Sequence, residues 1–94
     1  MENSIPLQIK ILQPYSNPFN ANLTLPIQID VTGQYVFNIY NILGQMVKTS
    51  NFYFNQLGII SVNFDFNSMA SGTYYISCEN DIKVSEIVPI ILLK

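Results

Sequence analysis

The chain has 94 residues, 49% of them hydrophobic and only 11% charged, with a formal net charge of −2. That length supplies one small core, which buries somewhat over about 60% of the extended chain's surface, and not two. Four separated lysines, Lys10, Lys48, Lys83 and Lys94, with no arginine or histidine, form no basic stripe, which argues against nucleic acid and against a polybasic membrane anchor.

In chain order, residues 1–4 read as a linker, and no cationic segment followed by an apolar run opens the chain, so any export signal is expected in a longer parent. Ile5, Leu7, Ile9 and Ile11 fall on one side and Gln8 and Lys10 on the other, which predicts a half-buried first strand whose start Pro6 keeps at a sheet edge. Pro14 to Asn20 is a turn, because Pro14 and Pro18 remove amide donors, and Phe19 is its apolar plug. Leu23, Leu25, Ile27, Ile29 and Val31 then alternate with Asn22, Thr24, Gln28 and Asp30. Pro26, on the outward set, predicts a bulge or an edge.

Thr32-Gly33-Gln34 turns into an aromatic and β-branched strand, Tyr35 to Tyr40. Asn41 to Gly44 is a hairpin loop with Gly44 at positive φ, leading into Gln45 to Lys48. Phe52, Tyr53, Phe54 and Leu57 read as an irregular connection. Beyond Gly58, Ile60, Val62, Phe64 and Phe66 alternate with Ser61, Asn63 and Asp65. Met69-Ala70-Ser71-Gly72-Thr73-Tyr74 then joins a corner, a glycine and a strand start. Tyr74 is placed as a tyrosine corner, whose hydroxyl bonds to backbone a few residues upstream and fixes the crossing between two sheets. Glu79-Asn80-Asp81 is a turn and Ile82 to Leu93 a last strand. The fold class is all-β: a single Ig-like Greek-key β-sandwich of seven to eight antiparallel strands, with no sustained helical period.

The residues of known chemistries do not assemble in the sequence. Glu79 and Asp81 are the only neighbouring carboxylates and sit in a turn, while the serines have no histidine to activate them. The glycines stand singly, and Cys78 lies within an alternating strand as a buried thiol. No catalytic, metal or cofactor-binding residue is assigned and no cofactor is expected. The run Ile87 to Leu93 is much shorter than a bilayer span and is broken by Pro89, so direct membrane insertion is not expected. The low surface charge leaves edge strands open to self-association.

Four separated motifs carry a resemblance. Ile5-Pro6-Leu7 with Pro14-Tyr15-Ser16-Asn17-Pro18-Phe19-Asn20 is similar to a leader strand and a Tyr-Pro-Asn-Pro-Phe-Asn motif. Ile39 to Val47 resembles an Ile-Tyr-Asp-Ile-Leu-Gly-Arg-x-Val hairpin, Met69 to Tyr75 a Leu-x-Ser-Gly-x-Tyr corner, and an apolar strand closed by Lys94 follows. In that order they resemble the C-terminal sorting domains of type IX secretion cargo. Ser16, Asn41 and Gln45 depart from the usual proline, aspartate and arginine, and Pro89 interrupts the terminal strand. Flagellar hook-cap Ig-like domains share some motifs but carry a Trp-Asp-Gly segment, where this chain has Phe64-Asp65-Phe66.

The resemblance implies a non-catalytic module of a larger exported protein, carried to the cell surface or medium through the periplasm and outer membrane. Its implied partners are the type IX secretion machinery, a sortase-like peptidase cutting near or upstream of Ile5, and an N-terminal cargo domain. Pro14, Tyr15, Asn17, Pro18, Phe19, Gly44, Gly72 and Tyr74 hold the family motifs. Ile82, Lys83, Val84, Ile90, Leu92 and Lys94 form the implied recognition segment, on the reasoning that a last edge strand offers unpaired backbone to a partner. The competing readings are an Ig-like spacer and a carbohydrate-binding sandwich using Tyr15, Tyr40, Tyr53 and Tyr75 as a stacking platform.

Overall fold

The computed structural model describes residues 9–14 and 18–94, and the described residues form seven strands and no helix. These are β1 (Lys10–Ile11), β2 (Asn22–Ile29), β3 (Gly33–Tyr40), β4 (Met46–Phe54), β5 (Gly58–Asp65), β6 (Gly72–Glu79) and β7 (Val88–Leu92). They pair antiparallel in two sheets, in the order β1-β2-β5 and β4-β3-β6-β7. The chain crosses between the sheets after β2, after β4 and after β5, which makes the Greek-key sandwich expected from the alternation.

The alternating residues form the core. Leu23, Leu25, Ile27 and Ile29 of β2 face Tyr35, Phe37 and Ile39 of β3 and Ile76 and Cys78 of β6, all fully or almost fully buried. Each such apolar side chain contributes about 1.5–3 kcal/mol by leaving water. On the β4/β5 side, Phe64 meets Phe37 at 5.2 Å and Phe52 at 5.9 Å, both edge to face. The outer face of the four-stranded sheet carries a polar row in which Thr49 Oγ1 donates to Asn38 Oδ1 (3.1 Å) and Asn38 Nδ2 to Glu79 Oε1 (3.4 Å). Glu79 therefore belongs to this row and is separated from the exposed Asp81.

Three sequence expectations change. Pro26 lies in neither a bulge nor an edge: it is buried in β2, the middle strand, with unbroken register to Ser61. Its carbonyl accepts from Leu12 N–H at 2.9 Å, so its ladder side faces the end of β1, where a missing amide donor costs little. The stretch read as irregular around Phe52 to Phe54 is regular, because β4 continues to Phe54 opposite β3. The last strand is shorter than Ile82 to Leu93. Asn80 Oδ1 accepts from the amides of Ile82 and Lys83 (both 2.8 Å), and Ser85 Oγ accepts from Cys78 N–H (2.8 Å). Side-chain oxygens thus take up donors at this bend, only an isolated bridge joins Glu79 to Val84, and β7 begins at Val88. Among the described residues of the first strand, Lys10 and Ile11 form the ladder, and the expectations for Ile5, Pro6, Leu7 and Gln8 lie outside the described residues.

Candidate functional site

The corner after β5 is built as a chain of local bonds. Tyr74 is 8% exposed, its ring meets Phe66 edge to face at 5.9 Å, and its hydroxyl donates to the Ala70 carbonyl at 2.7 Å. Gly72 opens β6 with φ 155°, a conformation that a Cβ would disfavour. Sequence reasoning missed a second corner of the same construction: Tyr35 donates from its hydroxyl to the Val31 carbonyl, across the β2-to-β3 crossing. The repeated signal was in the sequence, since Gly33-Gln34-Tyr35 and Gly72-Thr73-Tyr74 share one Gly-x-Tyr spacing.

The N-terminal turn reaches the terminal strand. Phe19 is 2% exposed and packs edge to face on Phe66 at 4.9 Å. Its N–H donates to the Ile91 carbonyl and its carbonyl accepts from Leu93 N–H, both at 2.9 Å, in a parallel bridge beside Leu92. Phe19 is therefore more than a turn plug, because it occupies the outer edge of β7. Pro14 is buried and Pro18 exposed, while Tyr15, Ser16 and Asn17 lie outside the described residues. Lys94 folds back on the corner: its N–H donates to Ser71 Oγ (3.0 Å) and its ammonium to the Asn67 carbonyl.

In the β3–β4 hairpin, Asn41 Oδ1 accepts from the amides of Leu43 (2.9 Å) and Gln45 (3.0 Å), and Asn41 Nδ2 donates to Gln45 Oε1 at 2.9 Å. Gly44 provides the positive φ, 80°. The loop presents Ile42 and Leu43, 72% and 77% exposed, to solvent.

The implied recognition segment divides in two. Ile90 and Leu92 are fully buried, so their side chains hold β7 onto the core and are not available to a partner. Ile82 and Val84 are 60% and 66% exposed, and Lys83 and Lys94 are exposed beside them in sequence and at the chain end. The outer edge of β7 is also largely taken, by Phe19 at Ile91 and Leu93 and by Pro89, which lies on the same side and has no N–H.

A family model described as a secretion system C-terminal sorting domain matches residues 13–92 of this chain. The chain belongs to that family. No curated protein matches it. The matched span takes in the Asn41 hairpin, the Tyr74 corner, and the Phe19 turn with β7, the last two joined by the backbone bonds described above.

This family comprises the sorting signals of type IX secretion cargo, and a non-catalytic role fits the domain. Membership implies recognition by the type IX machinery, attachment to an N-terminal cargo, and a secreted or cell-surface destination for that cargo. In the sorting domain the two hairpin departures from the family motif, Asn41 and Gln45, bond to each other, so a neutral amide pair stands where the motif has opposite charges. Burial, and secondarily the charge of Glu79, pushes the Cys78 thiol up to about 12, which leaves it an unreactive core group. Tyr40 and Tyr75 are register neighbours on the outer face of the four-stranded sheet, beside a shallow basin of about 580 Å³ also lined by Ile42 and Ile87. Tyr53 pairs with Gln34 at the far end of β3, roughly 20 Å away at about 3.3 Å per residue, so it does not join them in a three-ring platform.

Proposed function

We propose that this sorting domain acts as a folded handle. An N-terminal cargo that enters the periplasm by the general secretory route is delivered across the outer membrane when the type IX machinery grasps the exposed Ile82-Lys83-Val84 bend together with Lys94. A sortase-like peptidase then cuts near or upstream of Ile5, residues 1–4 being linker and the remainder the module itself. The observation that supports this most strongly is the family match over residues 13–92. Within that span the bend exposes two large apolar side chains, Ile82 and Val84, that the core does not use, and such groups are a natural anchor for a partner.

The test appends the 94 residues to a periplasmic fluorescent protein in a host with a type IX system. The fusion is expected at the surface or in the medium. Deleting residues 82–94 should stop export, and the substitutions Ile82→Ser with Val84→Ser should reduce it without unfolding the domain. Export of the truncated fusion would refute the sorting role. Export of the double variant at the unmodified level would move recognition away from the bend.

A further inference from the structure

We propose that two copies of this chain pair along β5, antiparallel and edge to edge, about a two-fold axis at Val62. This joins their three-stranded sheets into one of six strands. Direction of the backbone groups is the first ground. Leu12 N–H bonds the Pro26 carbonyl and Phe66 N–H bonds the Ala21 carbonyl (2.6 Å), which fixes which β2 residues point at β1 and which at β5. By the strict alternation of an antiparallel ladder, Leu23, Leu25, Ile27 and Ile29 bond Phe64, Val62, Ile60 and Gly58. Ile59, Ser61, Asn63 and Asp65 therefore turn their N–H and C=O groups away from β2, and no described residue bonds them there.

Protection of the other edges is the second ground. Proteins shield open strands with prolines, bulges, inward-pointing charges, short strands or covering segments. The outer edge of β7 has Phe19 and Pro89, and β1 is two residues long. β4 has a register shift opposite Ile39 and Tyr40, and Lys48 falls on its inward set, opposite Ile39. β5 is eight residues of unbroken register with no proline and no lysine, its one charge, Asp65, stands at its end, and Ile59 beside it is 67% exposed.

Self-complementarity names the occupant. With the axis at Val62, Ser61 meets Asn63 of the second copy and Ile59 meets Asp65. All four outward residues then face outward residues, and eight backbone hydrogen bonds form. On the inner face Ile60 meets Phe64 and Val62 meets itself, apolar against apolar, and on the outer face the single carboxylate never meets its own copy. One edge buries less than the roughly 1,200 Å² of a stable interface, so pairing is weak and depends on concentration.

The test is a charge exchange read by sedimentation of the 94-residue chain from micromolar to millimolar concentration. Ser61 and Asn63 are exposed, so substitutions there leave the core intact, which a urea midpoint checks. Ser61→Lys with Asn63→Lys places like charges opposite each other twice and should weaken association at least tenfold. Ser61→Lys with Asn63→Glu places opposite charges there and should associate at least as tightly as the unmodified chain. For that unmodified chain, amide exchange at Ile59, Ser61, Asn63 and Asp65 should slow as concentration rises. A chain that remains monomeric at millimolar concentration, equal behaviour of the two double variants, or concentration-independent exchange at those four amides overturns the proposal.

Discussion

Tyr74→Phe removes one oxygen and leaves everything else at the corner in place. The ring still packs on Phe66, and what is lost is the 2.7 Å bond to the Ala70 carbonyl. A net hydrogen bond of this kind contributes about 0.5–1.5 kcal/mol, and the cost grows when the abandoned partner stays buried. Ala70 is exposed, so water can satisfy its carbonyl, and the loss should fall near the lower half of that range. Tyr35→Phe differs in burial: Tyr35 is 2% exposed and its acceptor, Val31, is half-buried, so this variant should cost more than Tyr74→Phe. The assay is urea unfolding followed by circular dichroism, with an unchanged m-value and a lowered midpoint. In a domain of this size each kcal/mol lowers Tm by about 4–8 °C. The two corners lie at different crossings with separate acceptors, so the double variant should be additive within about 0.5 kcal/mol. Midpoints of both single variants indistinguishable from the unmodified chain would refute the corner argument. A reversed order would refute the argument from acceptor burial.

Phe19→Ala should cost about 3–5 kcal/mol, since it removes a nearly buried ring from Phe66, and amide exchange at Leu93 should rise before the rest of β7 opens. Asn41→Asp with Gln45→Arg restores an opposite-charge pair in the hairpin while the position-41 oxygen still accepts from Leu43 and Gln45. The gain should be about 0.2–1 kcal/mol in low salt and shrink as salt is added, measured by thermal unfolding. Cys78 should resist a thiol reagent at neutral pH until the chain is unfolded. Because burial raises its folded pKa above the ordinary thiol value of 9.0, the native state keeps its proton when the unfolded state has lost it. Its stabilising contribution is thus complete below about pH 9 and falls as pH rises toward about 12. A Cys78→Ala variant whose urea midpoint declines equally across that window would contradict this.

Much of the sandwich was legible because side chains on a strand alternate between faces with a period of two, so Leu23 to Ile29, Ile60 to Phe66 and Tyr74 to Cys78 announce their buried faces locally. The Tyr74 corner and the Gly44 turn were legible for a related reason, as each is specified within five residues by a donor, an acceptor and a permissive glycine. Where the deciding contact lies far along the chain, local pattern is silent. β4 is an edge whose inward positions include Lys48 and Ser50, so its sequence lacks the apolar alternation that would mark it, and only pairing with β3 makes it a strand. Pro26 is tolerated in a central strand because β1 ends beside it, and Phe19 is buried because β7 and Phe66 come to it from the far end of the sequence. On β2, β5 and β6 the sequence by itself determined which residues face inward. Tertiary structure decided which strands are edges, and which edges are covered, because an edge is defined by the neighbour a strand lacks and no residue encodes that locally.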